Sequence, residues 1–251
     1  MIERIIIIES IPEDEKKTGK ELYDDIITKY IQFFNSEIKA EYYKVTSKSE
    51  FLEIIENITQ NISNEIETIL HIEAHGGNEE IQFSNYELLK WIELEKKLSI
   101  INAKSKNKLH LNLATCHGMH VAEKTSLIDT APYKSFISAL NELSPYEIIE
   151  DNSILYEEII KSKDIFQGFV NFLKRQQKTQ LRIKDIKTVL DYILSIQILR
   201  FIVLDPNFDL KMFFDNYLNI VIDKSHLNNL KTSDEKIKYI LEIFYQRYFV
   251  N

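Results

Sequence analysis

An α/β fold with a mostly parallel central sheet and helices on both faces is what this sequence predicts, and three observations lead there. Short, continuous apolar runs occur over residues 4–8, 66–74 and 108–115. They are β-branched and too short for buried helices. Segments with apolar residues at helical spacing separate them, over residues 20–34, 47–62 and 85–101. Strands that alternate with helices in this way form parallel sheets sandwiched between helical layers.

The first run, Ile5-Ile6-Ile7-Ile8, reads as a strand buried on both faces. In residues 20–34, Leu22, Ile26, Ile27, Tyr30, Ile31 and Phe34 share one helical stripe. Residues 40–45 form a weaker strand. Ser47 opens the next helix as a cap. After the strand at 66–74 comes His75-Gly76-Gly77, then a small strand at 80–83. Asn85 reads as the cap of a helix over 85–101, in which Trp91 is a packing residue. Downstream, 135–140 and 181–186 are expected strands. Residues 145–160, 164–173, 187–201, 210–222 and 233–249 are expected helices. The chain divides into residues 1–178 and a helical extension, 179–251, possessing no low-complexity tract.

With 251 residues, 44% hydrophobic and 28% charged, the chain has the composition of a globular protein. A net charge of −8 disfavours direct nucleic-acid binding, which depends on Lys and Arg neutralising phosphates. No stretch reaches the roughly 18 apolar residues of a membrane span. The opening residues have too short an apolar run for a signal peptide. One cysteine cannot make an internal disulfide, so a cytoplasmic, reducing location is expected.

That single cysteine, Cys116, ends the apolar run at 108–115, and Gly118 follows closely. His75 ends the preceding run, and Gly76 follows it. The two are 41 positions apart, which leaves room for one crossover helix. A right-handed crossover sets the two strands side by side. Functional groups in such sheets gather beyond the carboxyl ends of the strands. A His beside a Cys takes the thiol proton and yields the nucleophilic thiolate. The backbone N–H groups of Gly76 and Cys116 are candidate oxyanion donors. Glu73 alternates onto the strand face of His71 and His75, where it orients the base or meets a cationic substrate group. His71, His75, Cys116, His117 and His120 match no familiar zinc spacing, so no metal or other cofactor is expected. His110 reads as structural. The acidic runs 13–15 and 79–80 read as solvated loops.

The segments Ala74-His75-Gly76 and Ala114-Thr115-Cys116-His117-Gly118 resemble the caspase-like cysteine peptidases. The Cys116-His117 pair is similar to metacaspases, and the looser downstream sequence, Ala131 to Ile137, is closer to bacterial CHAT-type relatives. The resemblance covers about residues 1–175. It implies a caspase-like three-layer αβα sandwich, with His75 as base, Cys116 as nucleophile and Gly76 in the oxyanion hole. It implies a cysteine endopeptidase acting on protein substrates, in bacterial defence or programmed cell death. Relatives that cleave after Arg or Lys carry an Asp two residues before the Cys. Here that residue is Ala114, so the specificity is left open, with Glu73, Ala114 and His117 as cleft candidates. Residues 123–132 are short for a cleavable linker, which points to activation by a protein partner or ligand. A non-catalytic interaction module of the same fold is the alternative.

Overall fold

The computed structural model describes residues 1–116, 118–121, 130–139 and 141–187, together with 229, 232, 235, 238, 239 and 242. The side chain of His120, the whole of His117, and almost all of the expected helices at 187–201, 210–222 and 233–249 lie outside the described residues.

The central sheet contains β1 (Ile2–Ser10), β2 (Lys39–Lys44), β3 (Glu67–Gly76), β6 (Leu109–Ala114), β7 (Ser135–Ala139) and β8 (Leu181–Asp185). Their order is β2-β1-β3-β6-β7-β8. All neighbours are parallel except β7 and β8, which are antiparallel. A hairpin of β4 (Glu80–Gln82) and β5 (Leu88–Lys90) hangs from the end of β3. The sheet is therefore mostly parallel, as expected. It also takes in β8, beyond residue 178.

Alternation along the strands splits the interior into two layers. Ile6, Ile8, Leu70, Ile72, Leu111, Leu113 and Phe136 face one core. Helices α2 (Lys48–Asn61) and α3 (Trp91–Lys104) close it with Phe51, Ile55, Ile58, Leu94, Leu98 and Ile101. Tyr239 packs against this same core. Ile5, Ile7, Ile69 and Ile137 face the other core. It is closed by α1, α4 (Pro145–Ser162) and α5 (Ile165–Arg175). Helix α1 comprises Thr18–Glu21, a π-helical stretch Leu22–Ile27, and Thr28–Phe33. Helices thus cover both faces of the sheet. Ile5 to Ile8, at most 1% exposed, are enclosed from both sides, which is why the run is apolar without alternation.

Local signals set most helix starts. Ser47 caps α2, accepting from the Glu50 N–H at 3.2 Å, and Asp164 caps α5, accepting from Gln167. At α4, Ser144 accepts from the Glu147 N–H at 3.3 Å while the Glu147 carboxylate accepts from the Ser144 N–H at 2.8 Å. Pro145 follows at the first helical position. Replacing Ser144 by Ala removes one half of this reciprocal pair. It should cost about 1 kcal/mol, read as a Tm lowered by a few degrees in a thermal melt.

One start differs from the sequence expectation. The helix predicted from Asn85 begins at Trp91, and Leu88–Lys90 is strand β5. Asn85 serves a turn instead: its Oδ1 accepts from the Glu87 N–H at 3.1 Å, and Tyr86 adopts a left-handed φ of 69°. Leu89 is buried between exposed Leu88 and Lys90, the period of a strand.

Candidate active site

Strands β3 and β6 are adjacent and parallel, so their carboxyl ends share one edge of the sheet. The ladder runs from Thr68 opposite Leu109 to Glu73 opposite Ala114. Two residues further along each chain stand His75 and Cys116. The backbones remain in contact there. A β-carbon on Gly76 would collide with the Cys116 carbonyl oxygen and lie 3.0 Å from Thr115 Cβ. Gly118 is confined in the same way: a β-carbon there would collide with Ser138 Oγ and lie 2.8 Å from Thr115 Oγ1. The Gly118 N–H donates to the Thr115 carbonyl at 3.3 Å, closing the turn after Cys116. No glycine has positive φ. Both glycines are needed for close approach of main chain rather than for a left-handed turn.

The β4–β5 hairpin buttresses the His75 tip. His75 pairs with Gln82 and Gly76 with Ile81. The Gly77 N–H donates to the Glu80 carbonyl at 2.8 Å. Trp91, buried in the first core, turns its indole N–H to the Gly77 carbonyl at 3.1 Å. It therefore packs as expected and also fixes the backbone beyond His75.

His75 and Cys116 are both partly exposed, the His75 side chain at 42%. Among the described residues no hydrogen bond joins them. The His75 ring is instead engaged by Glu15, with Oε1 3.0 Å from Nε2. Glu15 comes from the loop between β1 and α1, in the acidic run read from sequence as merely solvated. Nothing in its local sequence marks it, because the contact spans 60 residues.

Glu73 has a different place from the cleft assigned to it. It is 1% exposed and lies under α1, hydrogen-bonded to Thr18 Oγ1. Its Oε2 is 3.3 Å from His71 Nε2. His71 Nδ1 is 3.1 Å from the Tyr156 hydroxyl, to which Asn112 Nδ2 donates at 3.3 Å. Asn112 Nδ2 also donates to Asn152 Oδ1 at 2.9 Å. Glu9, on β1 directly opposite Glu73, accepts from the Tyr42 hydroxyl at 2.6 Å and from the Gly19 N–H at 2.8 Å. This polar stratum runs beneath the strand tips, inside the α1 and α4 layer. Ala114 is buried too, at 6% exposure. The one legible hint of Glu9 is its position: it continues the face of Ile5 and Ile7 at the end of an apolar strand.

Protonation in this stratum follows from burial. Loss of solvent pushes the Glu73 carboxyl well above its ordinary value, and the adjacent Glu9 and Glu21 add to the effect. The same loss of solvent holds His71 down at about 4, against a smaller opposing pull from Glu9. Burial thus works against the ion-paired form of Glu73 and His71, since it penalises the charged state of each. Stability from a raised carboxyl is complete below its ordinary value of 4.5 and is lost as pH rises toward the native value. Stability from a depressed imidazole is complete above 6.5 and is lost as pH falls toward 4. Between 4.5 and 6.5 the two oppose each other. Chemical denaturation of Glu73→Gln, followed as pH rises from 4.5, should lack the loss of stability that the raised Glu73 carboxyl gives the unsubstituted chain, while the His71 contribution stays common to both.

Among the described residues, no group of three or more His, Cys, Asp or Glu side chains is placed to hold a metal ion. Nor is any described helix long and apolar enough to cross a membrane. No family model matches the chain, and no curated protein matches it.

Proposed function

We propose that this chain is a caspase-like cysteine endopeptidase, cytoplasmic, acting in bacterial defence or programmed cell death and switched on by a protein partner or ligand. The observation that carries this reading is the adjacency of β3, which holds His75 next to its last residue, and β6, which stops two residues before the chain's single Cys. With His75 Nε2 occupied by Glu15, Nδ1 is the ring atom left to accept the thiol proton. Cys116 Sγ then attacks the peptide carbonyl carbon and forms the C–S bond. The oxyanion is met by the N–H groups of Gly76 and Cys116. His75 returns its proton to the amine as the C–N bond breaks, leaving a thioester. Water, deprotonated by His75, hydrolyses the thioester and frees the acid and the thiol.

The absence of a hydrogen bond between His75 and Cys116 favours the second reading, an interaction module that keeps the fold without catalysis. In the endopeptidase reading that contact tightens only with substrate in place. Digestion of a peptide library, read by mass spectrometry, separates them. Cleavage by the unsubstituted chain supports the endopeptidase. A biological effect that survives Cys116→Ala supports the module.

A further inference from the structure

We propose that Glu15 is a positioning residue for His75, carried to the ring by a strap, residues 11–17, that the buried carboxyls of Glu9 and Glu73 moor at its far end. The inference rests on the His75–Cys116 reading and extends it by naming a third member of the site.

The strap is built to hold Glu15 in one place. The Glu15 N–H donates to the Pro12 carbonyl at 3.1 Å. The Lys17 ammonium donates to the carbonyls of Pro12 and Glu15, the latter at 3.2 Å. Lys16 pairs with Glu21 at 3.0 Å and lies 4.9 Å over the Tyr146 ring. Glu13 pairs with Lys44 on β2. Residues 13–16 are exposed, as read from sequence, and the loop they form is nonetheless fastened at these points.

The mooring lies in the buried stratum. Where the strap becomes α1, Thr18 Oγ1 bonds to Glu73 and the Gly19 N–H donates to Glu9. Gly19 seats directly on the two carboxyls: a β-carbon there would lie 2.8 Å from Glu73 Oε2 and 3.1 Å from Glu9 Oε1. Glu73 and His75 stand two residues apart on one strand. The strand that presents the imidazole therefore also holds the end of the loop that orients it. This accounts for two acids buried side by side, a costly arrangement with no packing advantage. A carboxylate on Nε2 fixes which ring nitrogen keeps its hydrogen and turns the other toward the thiol.

The test is the rate of Cys116 alkylation by iodoacetamide at neutral pH in the full chain, which carries no other cysteine to label. His75→Ala is the reference and should slow labelling by about tenfold or more. Glu15→Gln should slow it by about three- to tenfold, in keeping with a charged but partly solvated partner. Glu15→Asp should restore most of the loss, which a merely structural role would not produce. Thr18→Val loosens the mooring without exposing a buried charge and should slow labelling as well. Its effect should largely vanish when Glu15 is already Gln, since one acts through the other. Slowing by His75→Ala but not by Glu15→Gln would overturn this inference alone. Faster labelling of Glu15→Gln would also overturn it, marking Glu15 as a restraint. Labelling indifferent to His75→Ala would overturn both this inference and the reading beneath it.

Discussion

Cys116→Ala should abolish peptide cleavage while leaving the fold unchanged. The sulfur of the chain's single cysteine is the only atom able to form the thioester. Losses for removing a covalent nucleophile are on the order of 10⁴-fold or greater, and removing His75 as well adds little, because the two act as a unit. Stability should move far less. Cys116 is partly exposed at the end of a strand, and its replacement by Ala opens no large cavity. Steady-state cleavage of the best library peptide, with a thermal melt of the same preparation, checks both halves. Undiminished cleavage by Cys116→Ala would remove the proposed chemistry.

Gly76→Ala should damage fold and site together. The added methyl has no space, because the Cys116 carbonyl and Thr115 Cβ already occupy it, and the first of these is main chain that cannot swing aside. Either β3 or β6 must shift at its tip. Overpacking of this kind costs about 1–3 kcal/mol. The shift falls between the two proposed catalytic groups, where displacement by about 1 Å is worth about 10²-fold in rate. A Tm lowered by several degrees with a large loss of cleavage is expected. Unchanged Tm and rate would show that the two tips do not pack as closely as described.

The architecture was legible because its signals are local. Runs such as Ile5 to Ile8, glycines at strand ends, and the cap at Ser47 announce elements within a few residues of themselves. The π-helical stretch in α1 and the second hairpin strand, β5, which delays α3 to Trp91, were not legible. Each depends on contacts made elsewhere, and residues 85–90 carry apolar positions that suit strand and helix alike. At the site, His75, Cys116 and Gly76 were readable from their place at strand termini. Glu73 was assigned to the right strand face, but facing inward at that height means lying under α1 rather than in a cleft. Glu15 and Thr18 were invisible, since loop acids and helix-start threonines are ordinary until a distant strand is folded against them. The sequence gives Gly76 one reason to lack a side chain, access to its N–H, and the close approach of the Cys116 carbonyl adds a second.

The ladder ends with Glu73 opposite Ala114, and the account requires residues 75 and 116, two positions further along each chain, to stay close to the spacing of neighbouring strands, about 5 Å. Mild oxidation of a His75→Cys variant tests this most directly, because a disulfide forms only when the two α-carbons lie within about 4.4–6.8 Å. Peptide mapping should find residues 75 and 116 joined in a single intramolecular bridge. Recovery of both as free thiols, each alkylated separately after oxidation, would contradict the account.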